Sequence, residues 1–576
     1  MTRVSGRERY LAARVLNALI REDYGTIATR LTRDVNGVAL RLASGRRVRL
    51  TSGSPFQDFA VPVPPLTTDG RNHRGGPSLA EVLRTLGSVA DPADAAGVAA
   101  LARECRETLA ALELHHRHRR RVRSRLRSAA SGRGLIFYET LAAEVDHPIY
   151  PTARCRLGLS PDDLVGHAPE FAPEFRLAWA AVPRDRVTAT VDPGGLPWWP
   201  APEDVGLPGA MSRTHVLFPV HPLTAPALAV DGPGPIVVAP EPYLTVRPTL
   251  STRTVEVDDR THLKLPLPTS TLGLRNRRSI RPGTLRDGAL AESLLREVLA
   301  REPRMRVSLA DEQAYGHAGH EHLGWLVRGL PEGEIVPVAA LLAELPGPAG
   351  HHPRLVLHDL AVRFHGGDAT ALLRDYLTTL FDWNVTLFVR YGIALEAHQQ
   401  NLSLLLRGGP MTLLVKDNDG LLASPGLLRA AGLDVPDFGD DRMLTDDPHA
   451  LADVFVTITL HLAAMAVVHG ALADVAAAGG LVREALSAAL DRFGDAPMAA
   501  LLRARTIDAA RLVGKSMLVA GTLVAKERTG ARDVNKFYGT TGPNYLRPRP
   551  NPAGVGLGVG VPPSREADGR TPERLT

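Results

Sequence analysis

Residues 251–275 read STRTVEVDDRTHLKLPLPTSTLGLR. Two β-branched and apolar runs lie either side of an Asp-Asp-Arg turn, a pattern that predicts two adjacent strands. With Ser251 and Arg253 on a strand, both side chains point to one face, and Lys264 falls on the strand that follows. Hydroxyls and cations therefore converge through Ser251, Arg253, Thr254, Lys264, Thr271 and Arg275. Such a group suits a polyanion, for example a triphosphate. A salt-bridged sheet surface has the same composition and is the competing reading.

Outward from this block the chain changes character. Residues 134–350 are rich in proline and β-branched residues, with strand-like runs at 214–220, 236–239, 255–257 and 262–267. Helical periodicity takes over across 369–406, yields to a strand at 411–416 and resumes across 451–526. Residues 1–133 combine helical patterns at 8–21 and 94–126 with β-like segments such as 37–50. Strands followed by helices predict an α+β fold with divisions at 1–133, 134–350 and 351–545. Residues 546–576, rich in Pro, Gly and charge, predict a disordered tail.

The 576 residues, 44% apolar and 22% charged, exclude a disordered chain or a small scaffold and allow a cleft between lobes. Cys105 and Cys155 are too few for a disulfide framework, so a reducing compartment, the cytoplasm, is expected. The N-terminal residues break their apolar positions with charge, unlike a signal peptide. The apolar stretch 454–478 carries His461, His469 and Asp474 and reads as a buried helix, so no membrane partner is expected. Seven arginines and three histidines crowd into 115–127, yet without interleaved aromatics, and the net charge is only +5. That run reads as a solvated helix face, with no nucleic-acid partner expected. Of 67 Lys and Arg residues only Lys264, Lys416, Lys515, Lys526 and Lys536 are lysines, each a candidate for a compact charge that Arg cannot supply.

A second block, YGIALEAHQQNLSLLLRGGPMTLLVKDNDG at 391–420, places Glu396, His398 and Asn401 at polar positions of an apolar helix, with His398 and Asn401 on one face. A Gly-Gly-Pro turn and an apolar strand follow, ending in Lys416, Asp417 and Asp419. Acids at a strand end suit Mg²⁺, which takes carboxylates and bridges phosphates. His-Pro pairs stand at His147 and His221. HExxH, Walker A and a properly placed GxGxxG are absent.

These blocks together resemble the siderophore synthetases that act independently of nonribosomal peptide synthetases, the IucA/IucC superfamily. HPIYPTARCRLG with PEFAPEFRLAWAAVPR is similar to the family's first His-Pro element and Pro-Glu-Phe segment, and FPVHP to its second His-Pro element. STRT with HLKLPLPTSTLGLR resembles the nucleotide block, and EAHQQN with KDNDG the Glu-x-His-x-Gln-Asn and Arg-Asp-x-x-Gly signatures. Tyr150, Arg154 and Lys416 depart from the family's His, Lys and Arg, and the end of the chain lacks its Asn-Pro-Leu pattern.

The resemblance implies a thumb over 1–133, strand-rich fingers over 134–350 and a mostly helical, kinase-like palm over 351–545. It implies an AMP-forming ligase that adenylates a carboxylic acid and joins it to an amine or hydroxylamine, with ATP and Mg²⁺ as cofactors, acting as a homodimer. Carried over by position, Ser251, Arg253, Thr254, Lys264, Arg275 and Asn401 bind ATP. His147, Thr271, Arg275, His398 and Lys515 meet the carboxylate substrate, and Glu396 with Asp417 holds the metal. His398, Arg275 and Lys264 are the implied catalytic groups. A kinase-like phosphotransferase and a non-catalytic binding homologue are the rival functions; HQQN, which has no Asp ahead of its Asn, speaks against the first. The acid and the amine are not identified by sequence.

Overall fold

The computed structural model describes residues 4–52, 54–66, 76–128, 133–231, 234–347, 354–530 and 536–547. The tail expected to be disordered lies outside the described residues from 548 onward. Leu546, assigned to that tail, is instead buried, and its N–H donates to Asn544 Oδ1.

The hairpin read from residues 251–275 forms. Strand Thr254–Asp258 runs antiparallel to Thr261–Lys264, with Lys264 opposite Thr254. The pair occupies the middle of a nine-stranded sheet, in which eight strands run in the order Thr188–Ala189, Asp311–His320, Leu323–Gly329, Thr261–Lys264, Thr254–Asp258, Tyr243–Pro248, Phe175–Pro183 and His215–Val220, and Val237–Val238 pairs with Phe175–Pro183 beside this path. Leu177, Val246, Val255, Leu263 and Trp325 pack together as one core of this sheet. Ser251 and Arg253 are not on a strand, contrary to expectation. Residues 249–253 form a tight turn in which the Ser251 hydroxyl accepts from the Thr254 N–H at 3.0 Å, and Thr252 takes a left-handed φ of 66°. A serine that bonds its own neighbouring backbone leaves the strand ladder.

Toward the N-terminus, helices Gly6–Arg21, Leu79–Val89 and Ala95–Ser128 pack with a three-stranded sheet. Ser5 and Ser78 cap the first two, Ser78 within a capping box closed by Glu81. Their apolar faces share a core with Tyr150, Leu518 and Leu523, so distant parts of the chain pack in one cluster. The basic run at 115–127 is only partly a solvated face: His115 is buried, and Arg119 and Arg123 both reach Glu344 at 3.1 Å.

Helix Ala369–Thr386 packs on the apolar helix Pro448–Leu472, where the Tyr376 hydroxyl donates to Ala463 O at 2.9 Å. That apolar helix is buried, as its internal histidines implied. The helix expected over 369–406 stops earlier. Gly392 takes φ 62° and ends it, residues 393–394 pair with 422–423, and Leu402–Leu406 is a strand between Glu334–Pro337 and Thr412–Val415. All five residues of LSLLL are buried, so the segment lacks the alternation that marks a strand. Glu396, His398 and Asn401 therefore sit in a connecting turn and share no helix face. Residues 511–515, read as helical, form a strand paired with Tyr538–Pro543. Gly514 permits that pairing, since a Cβ there would stand 2.9 Å from Thr540 Oγ1.

Burial of His461 carries a pH consequence. Its ring bridges the Tyr545 hydroxyl at 2.7 Å and Val513 O at 2.9 Å, and burial lowers its pKa to about 4. An unfolded imidazole titrates near ~6.5, so between these values the unfolded chain holds more protons and stability falls as pH falls. The urea midpoint is expected to drop between pH 7 and pH 4.5, with a smaller drop in His461→Gln. A midpoint constant across that range contradicts the assignment.

Candidate active site

The tight turn, the end of strand Thr261–Lys264, the loop 265–281 and the 395–401 and 416–420 turns converge. Lys264 is buried, and its ammonium meets Asp417 Oδ1 at 2.5 Å and Asp419 Oδ2 at 3.3 Å. Asp417 has φ 64°, an uncommon conformation for any residue but glycine, and its N–H donates to the buried Glu312 carboxylate at 2.9 Å. Although burial opposes its charge, Lys264, Arg328 and Arg253 hold its carboxyl well below the usual range.

Arg253 and Arg278 act on that acid, and Arg275 lies on the same loop, three residues before Arg278. Arg253 donates to Ser279 O at 2.9 Å, while Arg275 is pinned by its guanidinium to Ala520 O at 2.8 Å and by its N–H to Gly521 O at 3.1 Å. Arg278 donates to the Thr271 hydroxyl at 2.5 Å. Burial first, then the charges of Arg253 and Arg156, lower its pKa to about 9, while Asp417 acts the other way. None of the three lies in an ion pair with a carboxylate among the described residues. Unneutralised guanidinium groups at one place form an anion site.

The 395–401 turn is tied to the same place. His398 N–H donates to Glu396 O at 2.8 Å, and Asn401 Nδ2 to the same carbonyl at 3.1 Å. Asn401 O then accepts from Lys416 N at 3.1 Å, joining the two turns. The Glu396 carboxylate lies over Gly420, where a Cβ would stand 2.7 Å from its Cδ. His398 is held neutral, its pKa lowered to about 4 by burial and by Lys515. Burial, Arg14, His398 and Lys515 likewise lower His147 to about 3, and its Nδ1 accepts from Tyr150 N at 2.9 Å. His147, His398 and Lys515 thus form one neighbourhood, contiguous through Asp417 and Arg278 with the cations.

Lys264, Arg253, Asp417, His147, His398 and Lys515 are linked in this array by ion pairs and mutual charge effects, whereas Lys526 is exposed on helix Lys526–Thr529. The three buried lysines are Lys264, Lys416 and Lys515, the first and last facing the cleft and Lys416 paired with Glu139 at 3.2 Å. The departures at Tyr150 and Arg154 are structural. Tyr150 is fully buried and donates to Glu104 at 3.2 Å, while Arg154 binds Asp146 at 2.7 Å and Glu144 O at 2.8 Å. His221 lies elsewhere, against His167 and Phe175. Sequence reading missed Arg278, three residues beyond Arg275, and also Glu312 and Arg328, which lie outside every quoted block. Two remote acids hold the Arg275 anchor. Glu22 accepts from Leu518 N at 3.1 Å and Val519 N at 2.9 Å, and Glu104 accepts from Thr522 Oγ1 at 2.6 Å.

Among the described residues no three His, Cys, Asp or Glu side chains form a metal cluster. Mg²⁺ commonly takes only one or two carboxylates and completes its sphere with water and phosphate, so Glu396 and Asp417 fit that ion. Gly420→Ala should push the Glu396 carboxylate aside with little loss of thermal stability, and, if Glu396 and Asp417 hold Mg²⁺, should weaken binding of a Mg²⁺–nucleotide by about tenfold. Isothermal titration with and without Mg²⁺ reads the effect; unchanged affinity removes Glu396 from the metal site.

A mixed sheet-and-helix fold is also that of the solved structures this chain is similar to. Residues 134–343 match the IucA / IucC family, and residues 370–522 match a family described as ferric iron reductase FhuF-like transporter. The IucA / IucC match spans the region that holds both His-Pro elements and the 251–275 block, in line with the resemblance read from those motifs. The petrobactin biosynthesis protein AsbB from Bacillus anthracis has a similar structure, with 15% identity, coverage of 94% of this chain and 96% of that one, and a TM-score of 0.71. Aerobactin synthetase IucC from Klebsiella pneumoniae is 20% identical over 88% and 94%, with a TM-score of 0.62. The ATP-bound aerobactin synthetase IucA from that organism is 18% identical over 93% and 99%, with a TM-score of 0.66. A comparison with curated proteins gave no match.

Proposed function

We propose that this chain is an ATP-dependent, AMP-forming ligase of siderophore biosynthesis that adenylates a carboxylic acid and condenses it with an amine or hydroxylamine. The observation that carries this reading is the pair Arg253 and Arg278, unpaired with any described carboxylate, beside Lys264 and Asp417, with Arg275 on the same loop. The similar IucA structure was solved with ATP bound, which supports the same use of the cleft here. In this reading ATP phosphates lie against Ser251, Arg253, Thr254, Lys264 and Arg275, with Asn401 holding the turn beneath them. Lys515, His147, His398 and Thr271 receive the acid.

The chemistry balances without a protein nucleophile. A carboxylate oxygen attacks the α-phosphorus, the bond to the β-phosphate oxygen breaks, and pyrophosphate leaves. The amine then attacks the acyl carbon, AMP leaves and the amine proton is lost. Mg²⁺ would neutralise phosphate charge, held by Glu396 and Asp417. Arg275, preoriented by the carbonyls of Ala520 and Gly521, stabilises charge that grows on the phosphates as the bond breaks. His398, kept neutral by its surroundings, donates or accepts a hydrogen bond without adding charge beside the acid.

The thumb, fingers and palm divisions at 1–133, 134–350 and 351–545, a homodimer and a cytoplasmic location complete the proposal. A redox role for residues 370–522 is disfavoured, because both cysteines, 105 and 155, lie outside that stretch and it offers no thiolate for an iron–sulfur cluster.

Product analysis tests the reading. Incubation with ATP and a panel of carboxylic acids and amines is expected to release AMP and pyrophosphate, whereas ADP release marks a phosphotransferase. Asp417→Asn should nearly abolish carboxylate-dependent ATP–pyrophosphate exchange, because a neutral amide is a poor ligand for a hard dication. Near-normal exchange at limiting Mg²⁺ contradicts the metal assignment. Lys515→Ala should raise the KM for the acid about 10- to 150-fold, far more than that for ATP. Equal changes in both remove Lys515 from the acid site.

A further inference from the structure

The Lys264–Asp417 ion pair conflicts with the roles just proposed. If Lys264 is to meet a phosphate and Asp417 a metal, the two must part, and the carboxylate oxygen that does not take the metal loses its closest cation. A replacement stands next to it. Arg328 Nη2 lies 3.6 Å from Asp417 Oδ1 and is a buried nitrogen without a hydrogen-bond partner. The side chain is fixed in place, since its Nε donates to Glu312 Oε1 at 2.5 Å. That same oxygen accepts from the Asp417 N–H, so Glu312 fixes both the arginine and the backbone of the acid. Glu312 is itself held, its N–H donating to Glu292 Oε2 at 2.7 Å. Strand register sets the geometry, because Arg328 lies on Leu323–Gly329 and Lys264 on the adjoining Thr261–Lys264.

We infer that Arg328 and Glu312 form a positioning pair that takes over Asp417 when nucleotide draws Lys264 away. The nucleotide-free site is thus self-paired through Lys264, and binding exchanges one ion pair for another. A buried donor without a partner is costly, and the exchange satisfies it. The inference rests on the reading of Lys264 and Asp417 given above.

A double-mutant cycle on the full-length protein tests the exchange, with affinity for a non-hydrolysable ATP analogue plus Mg²⁺ measured by isothermal titration. Arg328→Gln should weaken binding about tenfold or more in the wild-type background, because the free state keeps the closer Lys264 pair whereas the bound state has Arg328 in its place. In the Lys264→Ala background the arginine already pairs with Asp417 before binding, so Arg328→Gln should leave affinity nearly unchanged. Arg328→Lys, which keeps the charge opposite Glu312, should show the same pattern in weaker form and serves if the glutamine variant fails to fold. Equal weakening in both backgrounds overturns the exchange and leaves Arg328 a structural residue while the nucleotide site stands. Failure of the wild-type protein to bind the analogue overturns the site and the exchange together.

Discussion

The left-handed backbone at Asp417 is the constraint on which the site depends. It turns the chain at the end of strand Thr412–Val415 so that the carboxylate faces Lys264 instead of continuing along the sheet. A non-glycine residue persists there only if its surroundings fix it. Glu312 does so through the Asp417 N–H, from a strand of the neighbouring sheet. The nine-stranded and four-stranded sheets are thus bonded to each other at Asp417, and the acid and Lys264 face each other.

A second constraint comes from the far ends of the chain. Glu22 and Glu104 on N-terminal helices hold residues 518–522, whose carbonyls in turn hold Arg275. Gly273 and Gly521 let the two backbones approach, since a Cβ at Gly273 would stand 3.0 Å from Gly521 Cα. The arginine proposed to act on phosphate is therefore aimed by helices that contribute no group to the phosphate site.

Much of this was legible in the sequence where residues act locally. The 254–264 hairpin, the strand that leads into Lys416 and the buried apolar helix follow from alternation, turn residues and internal histidines. The retention of lysine singles out five positions alike, and only where it coincides with the family motifs, at Lys264 and Lys515, does it separate them from Lys416, Lys526 and Lys536. What failed was helix periodicity across LEAHQQNLSLLL, because a strand buried on both faces has no alternating pattern and Gly392 alone signals the break. Arg278, Glu312 and Arg328 escaped notice for another reason: their importance comes from sheet register and loop closure, which bring together residues distant in sequence.

The account stands on direct attack of a carboxylate on the α-phosphate. Oxygen-isotope transfer tests it most directly: an acid that supports turnover, labelled with ¹⁸O in its carboxylate, is incubated with ATP, amine and Mg²⁺, and the products are examined by mass spectrometry. The account predicts one labelled oxygen in AMP. Label in inorganic phosphate, released together with ADP, would show an acyl phosphate route and contradict it.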